Sequence, residues 1–227
     1  MHIYSHLVVA QAMLPHLQPA DLSEYYWGAV APDIRYAAGM RRRQTHRPVE
    51  EVCGWLDSEP QLRDFILGYL VHILTDERDA AGALYDGFPV AFIRRRLPRS
   101  LAAALLESVF PASVRLTVQL AGTENVLLDG MGVPRSLLAP FADGAARYIS
   151  APSLRLALEL VSGLGFEGIP RLERYVSIAC WFERHPRMRR VAAAAIFRVM
   201  SRVDLTGVTG RITADLLRQI SIYLRYT

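Results

Sequence analysis

Apolar positions in this chain fall in helix-length blocks and hardly ever alternate singly with polar ones. Beyond residue 80, helical spacing is seen at about 99–121, 134–149, 152–163, 170–184, 187–203 and 211–225. Breaks such as Gly163-Leu164-Gly165 and Thr206-Gly207-Val208-Thr209-Gly210 separate these blocks. Upstream, Ser5 is a good N-cap for a first helix that places His6 in its opening turn. A second helix starts near Ser23 and is broken at Pro32, because proline disfavours α geometry at Ala31. The pattern predicts an all-α, multi-helix bundle forming a single domain over residues 1–227. Residues 80–227 would be a helical scaffold for chemistry located between residues 6 and 79.

The segment Phe65 to Asp76 is apolar almost all the way round, which assigns it to a core, yet it carries His72 and Asp76 four residues apart. Side chains at that spacing point the same way along a helix. An ionised carboxylate in a core is costly unless it is paired or bound to a metal. The pair therefore reads either as a buried histidine bonded to an aspartate or as two ligands of one cation such as zinc. Other potential ligands stand upstream. Asp33 follows Pro32 in Gly28-Ala29-Val30-Ala31-Pro32-Asp33-Ile34, where a carboxylate at a helix break can aim into a cavity. His46 lies in the polar stretch Gln44-Thr45-His46-Arg47-Pro48, read as a loop. Taken singly, His6 also reads as a helix-start residue, Asp33 as a cap and His46 as an exposed loop histidine.

In that order, His6, Gly28-Ala29-Val30-Ala31-Pro32-Asp33-Ile34, Thr45-His46 and Gly68-Tyr69-Leu70-Val71-His72-Ile73-Leu74-Thr75-Asp76 resemble the bacterial zinc-dependent phospholipase C family, which is related to P1-type nucleases. The match runs from about His6 to Asp79, roughly a third of the chain. The resemblance implies an all-helical fold of the phospholipase C/P1 nuclease type. It also implies that Asp33, His46, His72 and Asp76 hold one metal, with Asp76 bridging to a second held by His6. Asp33 would double as the catalytic proton acceptor. Trinuclear members of the family supply further histidines downstream, but this chain has none between His72 and His185. The implied cofactor is therefore one or two zinc ions. The processed terminal tryptophan that serves secreted members has no counterpart here, and His2 is the nearest substitute.

Mixed imidazole and carboxylate ligands suit zinc and also accept manganese, iron or nickel. Bridged di-iron sites in helical bundles favour glutamates and Glu-x-x-His pairs, and this chain has no Glu-x-x-His pair. There is likewise no G-x-x-x-x-G-K-[ST] loop and no G-x-S-x-G elbow. The longest apolar runs fall short of the roughly 18 residues of a membrane span. No secretory signal is evident, and Cys53 and Cys180 form no disulfide framework, so the expected location is cytoplasmic.

All 26 basic residues are arginine, and the formal net charge is +4, which suits an anionic substrate or surface. Arginine makes planar bidentate contacts with phosphate. Arg41, Arg42 and Arg43, just before His46, are the candidate substrate-binding run; Arg94-Arg95-Arg96 and Arg187, Arg189 and Arg190 read as solvated surface. Tyr25, Tyr26, Trp27, Tyr36 and Trp55 read mainly as core, with an aromatic wall for an organic group as the alternative. The expected activity is metal-dependent hydrolysis of a phosphate ester, with a metal-activated water attacking phosphorus. Small-molecule or lipid phosphate esters are the favoured partners, ahead of nucleic acid. The alternatives are a specialised, iron-dependent enzyme with a non-phosphate substrate, or a binding or structural protein that keeps the fold.

Overall fold

The computed structural model describes residues 3–77, 116, 118–150 and 205–223, together with Leu156, Leu160, Trp181, Arg184, His185 and Arg187. Among these residues about 80% are helical and none is in a strand. Most of the blocks at 99–121, 152–163, 170–184 and 187–203 lie outside the described residues, as do His2, Asp79, Arg94 to Arg96, Gly163 to Gly165, Cys180, Arg189 and Arg190. No helix among the described residues is long and apolar enough to cross a membrane.

Helix α1 (Ile3–Leu17) buries Ile3, Leu7, Ala10, Met13 and Leu17, a stripe at helical spacing. Ser5 is therefore inside the helix and buried rather than capping it: the apolar face continues back through Tyr4 and Ile3. Helix α2 (Leu22–Val30) is capped by Asp21, whose Oδ1 accepts from the Ser23 and Glu24 amides at 2.8 and 3.2 Å. The Asp21 amide in turn donates to Asp64 Oδ2 at 2.7 Å, tying the start of α2 to the start of the later helix Arg63–Glu77.

The chain does not leave helical geometry before Pro32. Ala31 keeps φ −56° and ψ −36°, and its N–H still bonds the Trp27 carbonyl. The break takes the form of a tightened 3-10 turn, Ala31–Ile34, with Pro32 near its start where a missing N–H costs nothing. Helix α3 (Arg35–Ala38) follows and ends on Gly39 at φ 65°. The expected loop around His46 contains the one-turn helix α4 (Arg42–Thr45), with His46 as its C-terminal cap. Helix α5 (Val49–Ser58) leads through a 3-10 turn to α6 (Arg63–Glu77), where every residue from Phe65 to Thr75 is buried.

Helix α6 is the central element, packed against α1, α2, α5 and the late helix α9 (Leu205–Tyr223). The α2–α6 crossing is backbone to backbone. A Cβ on Gly28 would come 1.9 Å from the Phe65 carbonyl oxygen, and one on Gly68 would come 1.9 Å from that of Tyr25. Tyr25 and Trp27 are wholly buried and Tyr26 nearly so, while Tyr36 and Trp55 pack partly buried against the same core.

Two predicted features of the later chain differ. Residues 118–121, expected to end a helix, are non-helical; this stretch and its continuation lie along α2, where Ala121 N–H bonds Ser23 O and Trp27 Nε1 donates to Thr123 O at 3.1 Å. Helix α7 (Val126–Gly130), capped by Asn125, and helix α8 (Arg135–Ser150) follow. The predicted break at Thr206 to Gly210 lies inside α9. Glycine weakens a helix by only about 1 kcal/mol, and burying Ile212, Leu216 and Ile220 outweighs that.

Candidate metal centre

Four elements bring the five expected ligands together. His6 comes from the first turns of α1, Asp33 from the 3-10 turn after α2, His46 from the end of α4, and His72 and Asp76 from one face of α6. One ligand atom from each of His6, Asp33 and His72 lies within 4.8 Å of the other two, and the same holds for His46, His72 and Asp76. His72 belongs to both groups and Asp33 falls with His6, a different partition from the one the family resemblance implies.

The α2–α6 crossing orients His72. Its Nδ1 stands 2.8 Å from the Ala29 carbonyl, which only accepts, so Nδ1 carries the proton and Nε2 turns a lone pair into the cluster. Metal-binding histidines have this arrangement, in which a backbone carbonyl fixes tautomer and ring. His46 has Thr45 Oγ1, a hydroxyl that can donate or accept, 3.2 Å from its Nδ1, and the turn beneath it is pinned by a hydrogen bond from Tyr69 OH to the Thr45 carbonyl. Its Nε2 lies 3.3 Å from His72 Nε2. The His6 ring stacks on His72 with centroids 3.8 Å apart.

Asp76 is the hub. Its Oδ1 lies 3.3 Å from His6 Nε2, while Oδ2 lies 3.0 Å from His46 Nε2 and accepts from Arg42 Nη1 at 2.6 Å. The two oxygens thus face different histidines, as those of a bridging carboxylate do. All three of the predicted arginine run are exposed, and Arg42 reaches the cluster.

Burial and charge set the protonation states. Burial pushes the His72 imidazole well below its ordinary range, and the neighbouring His6 pushes it the same way. Burial also lowers His46, against the opposing pull of its hydrogen bond to Asp76. For the carboxyls, burial acts upward but loses: His72 and His6 hold Asp33 below the usual range, and hydrogen bonds from His46 and His6 hold Asp76 far below it. Neutral imidazoles beside ionised carboxylates are the states that bind a cation. Tyr36, next to the Asp33 turn, is pushed up to about 12 by burial and by the Asp33 charge, so its hydroxyl keeps its proton.

The donor set fits a divalent cation on one further observation. Asp33 is 3% exposed, and its Oδ2 has no hydrogen-bond partner. A buried carboxylate oxygen without a donor is costly, and a cation among His6, Asp33 and His72 would satisfy it. Sequence reading did not identify the supporting groups, the Ala29 carbonyl and Thr45. Gly28 and Gly68, the small residues that allow the close crossing, were the available signal for the first. Comparison with protein-family models, curated proteins and solved structures finds no match to this chain.

Proposed function

We propose that this chain is a divalent-cation-dependent hydrolase of phosphate esters. The observation that carries the reading is the gathering of three histidines and two aspartates into two ligand groups that share the buried His72, with an Asp33 oxygen left without a donor. The likeness of residues 6–79 to zinc-dependent phospholipases C adds support. His6, Asp33, His46, His72 and Asp76 would hold the cation, with zinc, manganese and iron all compatible with the donor set. When bound, such an ion supplies Lewis acidity toward a phosphoryl oxygen and lowers the pKa of water.

The chain's own residues supply the rest. The Ala29 carbonyl holds His72 in the tautomer that faces the centre, and Thr45 Oγ1 stands against His46 Nδ1 on the side away from Asp76. Asp33, kept ionised and out of bulk solvent, accepts the proton of the attacking water at its carboxylate. The apolar walls of α2 and α6 exclude solvent from the inner side, so substrate enters past Asp76, the most exposed of the two carboxylates. Small-molecule and lipid phosphate esters both belong to the proposed class.

A second reading, a binding or structural protein whose cluster is an internal ion-pair network, draws support from Asp76, which already has His6, His46 and Arg42 as partners. One experiment separates the two. Protein purified without chelator is assayed for bound metal and for hydrolysis of a chromogenic phosphodiester, beside Asp76→Ala. Metal-dependent turnover lost in the variant supports the hydrolase; a metal-replete protein inert toward phosphodiesters and monoesters supports the second reading.

A further inference from the structure

Arg42 stands at the mouth of the cluster with its side chain 51% exposed, against 14% for Asp76. Its Nη1 bonds Asp76 Oδ2, the same oxygen that His46 Nε2 approaches, while His72 Nε2 lies 4.0 Å from it. A carboxylate oxygen offers about two lone-pair sites, and Arg42 and His46 already use them. A cation shared by His46, His72 and Asp76 takes the place of the His46 N–H, which a ligating His46 has lost, and sets its charge on the same oxygen that the Arg42 guanidinium binds. His46 is nearly enclosed and faces the same point as a ligand, whereas Arg42 is long, half exposed and no ligand at all.

The charge balance points the same way. Asp33, Asp76 and Arg42 together carry one negative charge, and a divalent cation would add two positive charges beside them. A guanidinium released from its carboxylate at the rim of a now cationic site has a natural partner in a tetrahedral oxyanion, which accepts its paired N–H groups. The base of the side chain stays fixed meanwhile. The Gln44 side chain accepts the Arg41 N–H at 2.8 Å, and Tyr69 OH holds the Thr45 carbonyl, so only the Arg42 side chain has to move. Arg47 is paired with Glu51 and Arg135 with Glu124 and Asp129, acids that are not members of the cluster.

We propose that Arg42 is the oxyanion-binding residue of this site, transferring from Asp76 Oδ2 to a phosphoryl group when a divalent cation occupies the cluster. The proposal rests on the cation reading above and names the anion that the site selects. It implies that cation and phosphate bind with positive and reciprocal coupling through Arg42.

Calorimetric titration of Mn²⁺, and in parallel Zn²⁺, into chelator-treated protein tests this, with and without inorganic phosphate. Removal of the competing guanidinium in Arg42→Ala should tighten cation binding without phosphate, by a factor in the roughly 5–150-fold range of ordinary site coupling. Phosphate should tighten cation binding to the unaltered protein and have little effect in Arg42→Ala. Arg42→Lys, which keeps the charge without the planar fork, should retain the competition and lose most of the phosphate coupling. Equal cation affinities in all three proteins, or a phosphate effect unchanged in Arg42→Ala, would overturn the proposal while leaving the cation site standing. Failure of both cations to bind any of the proteins would overturn the cation reading and this proposal together.

Discussion

Gly28 and Gly68 each occupy the one position on their helix where the other helix leaves no room for a side chain: a Cβ on either would come 1.9 Å from a backbone oxygen across the crossing. The two backbones are therefore in contact, and the C-terminal end of α2 lies against the middle of α6. That approach brings the Ala29 carbonyl within 2.8 Å of His72 Nδ1. The packing of two helices thus sets the tautomer of a candidate metal ligand.

Gly28→Ala and Gly68→Ala should each destabilise the protein by about 1–3 kcal/mol or more, because the atom met is main chain and cannot rotate away. Both should also weaken cation binding, since moving the helices apart frees the His72 ring. Chemical denaturation and metal analysis of the purified variants check this. Wild-type stability in either variant would mean that the helices are not in backbone contact.

The sequence made the helical class legible through block-length apolar runs, and it made α6 legible because no polar face interrupts Phe65 to Leu74 save His72. The five ligands were legible as residue types in a family order. Their grouping was not, because it depends on angles between helices that no spacing encodes. Short-range rules misplaced other features for local reasons. Ser5 looks like a cap, but buried Ile3 and Tyr4 extend the helix beyond it. Thr206 to Gly210 looks like a break, yet the anchored face of α9 overrides weak propensity. His46 looked like an exposed loop residue, whereas its side chain is only 5% exposed because α4 and Tyr69 fold the turn inward.

Tyr69→Phe tests that inward fold. Its hydroxyl donates to the Thr45 carbonyl, and Thr45 is completely buried. Removing the donor leaves an unsatisfied buried acceptor at a cost of about 1–3 kcal/mol. The turn carrying His46 should loosen with it, so cation affinity falls along with stability. Calorimetric titration of Mn²⁺ beside a denaturation curve measures both. A loss of stability with unchanged affinity would show that His46 is positioned by other contacts.

His72→Ala removes the residue common to both ligand groups and leaves the Ala29 carbonyl without its donor. Cation content after chelator-free purification should fall to background, while His185→Ala, at an exposed position far along the chain, should leave it unchanged. Full metal occupancy in His72→Ala, read by elemental analysis, would place any bound ion elsewhere.

Acid should destabilise the metal-free protein from about neutrality downward. Burial lowers His72 and His46 below the ordinary value of 6.5, so below that pH the unfolded chain takes up protons that the native chain refuses. Stability therefore rises with pH across the window between the folded values and 6.5, and it is lost as pH falls through that window. Asp33 and Asp76, held below 3.8 in the fold, act in the same sense at lower pH: their contribution is present above 3.8 and lost as pH falls through their folded values. Each histidine contributes a slope of up to about 1.4 kcal/mol per pH unit. Urea midpoints measured between pH 7.5 and 5 should fall steadily, and His46→Gln should flatten the slope by up to one proton. Saturating Mn²⁺ should raise stability most at the upper end of that range, because protons and cation compete for the same nitrogens. A midpoint independent of pH over this range would mean that His46 and His72 are solvated in the native protein, and the buried cluster would not stand.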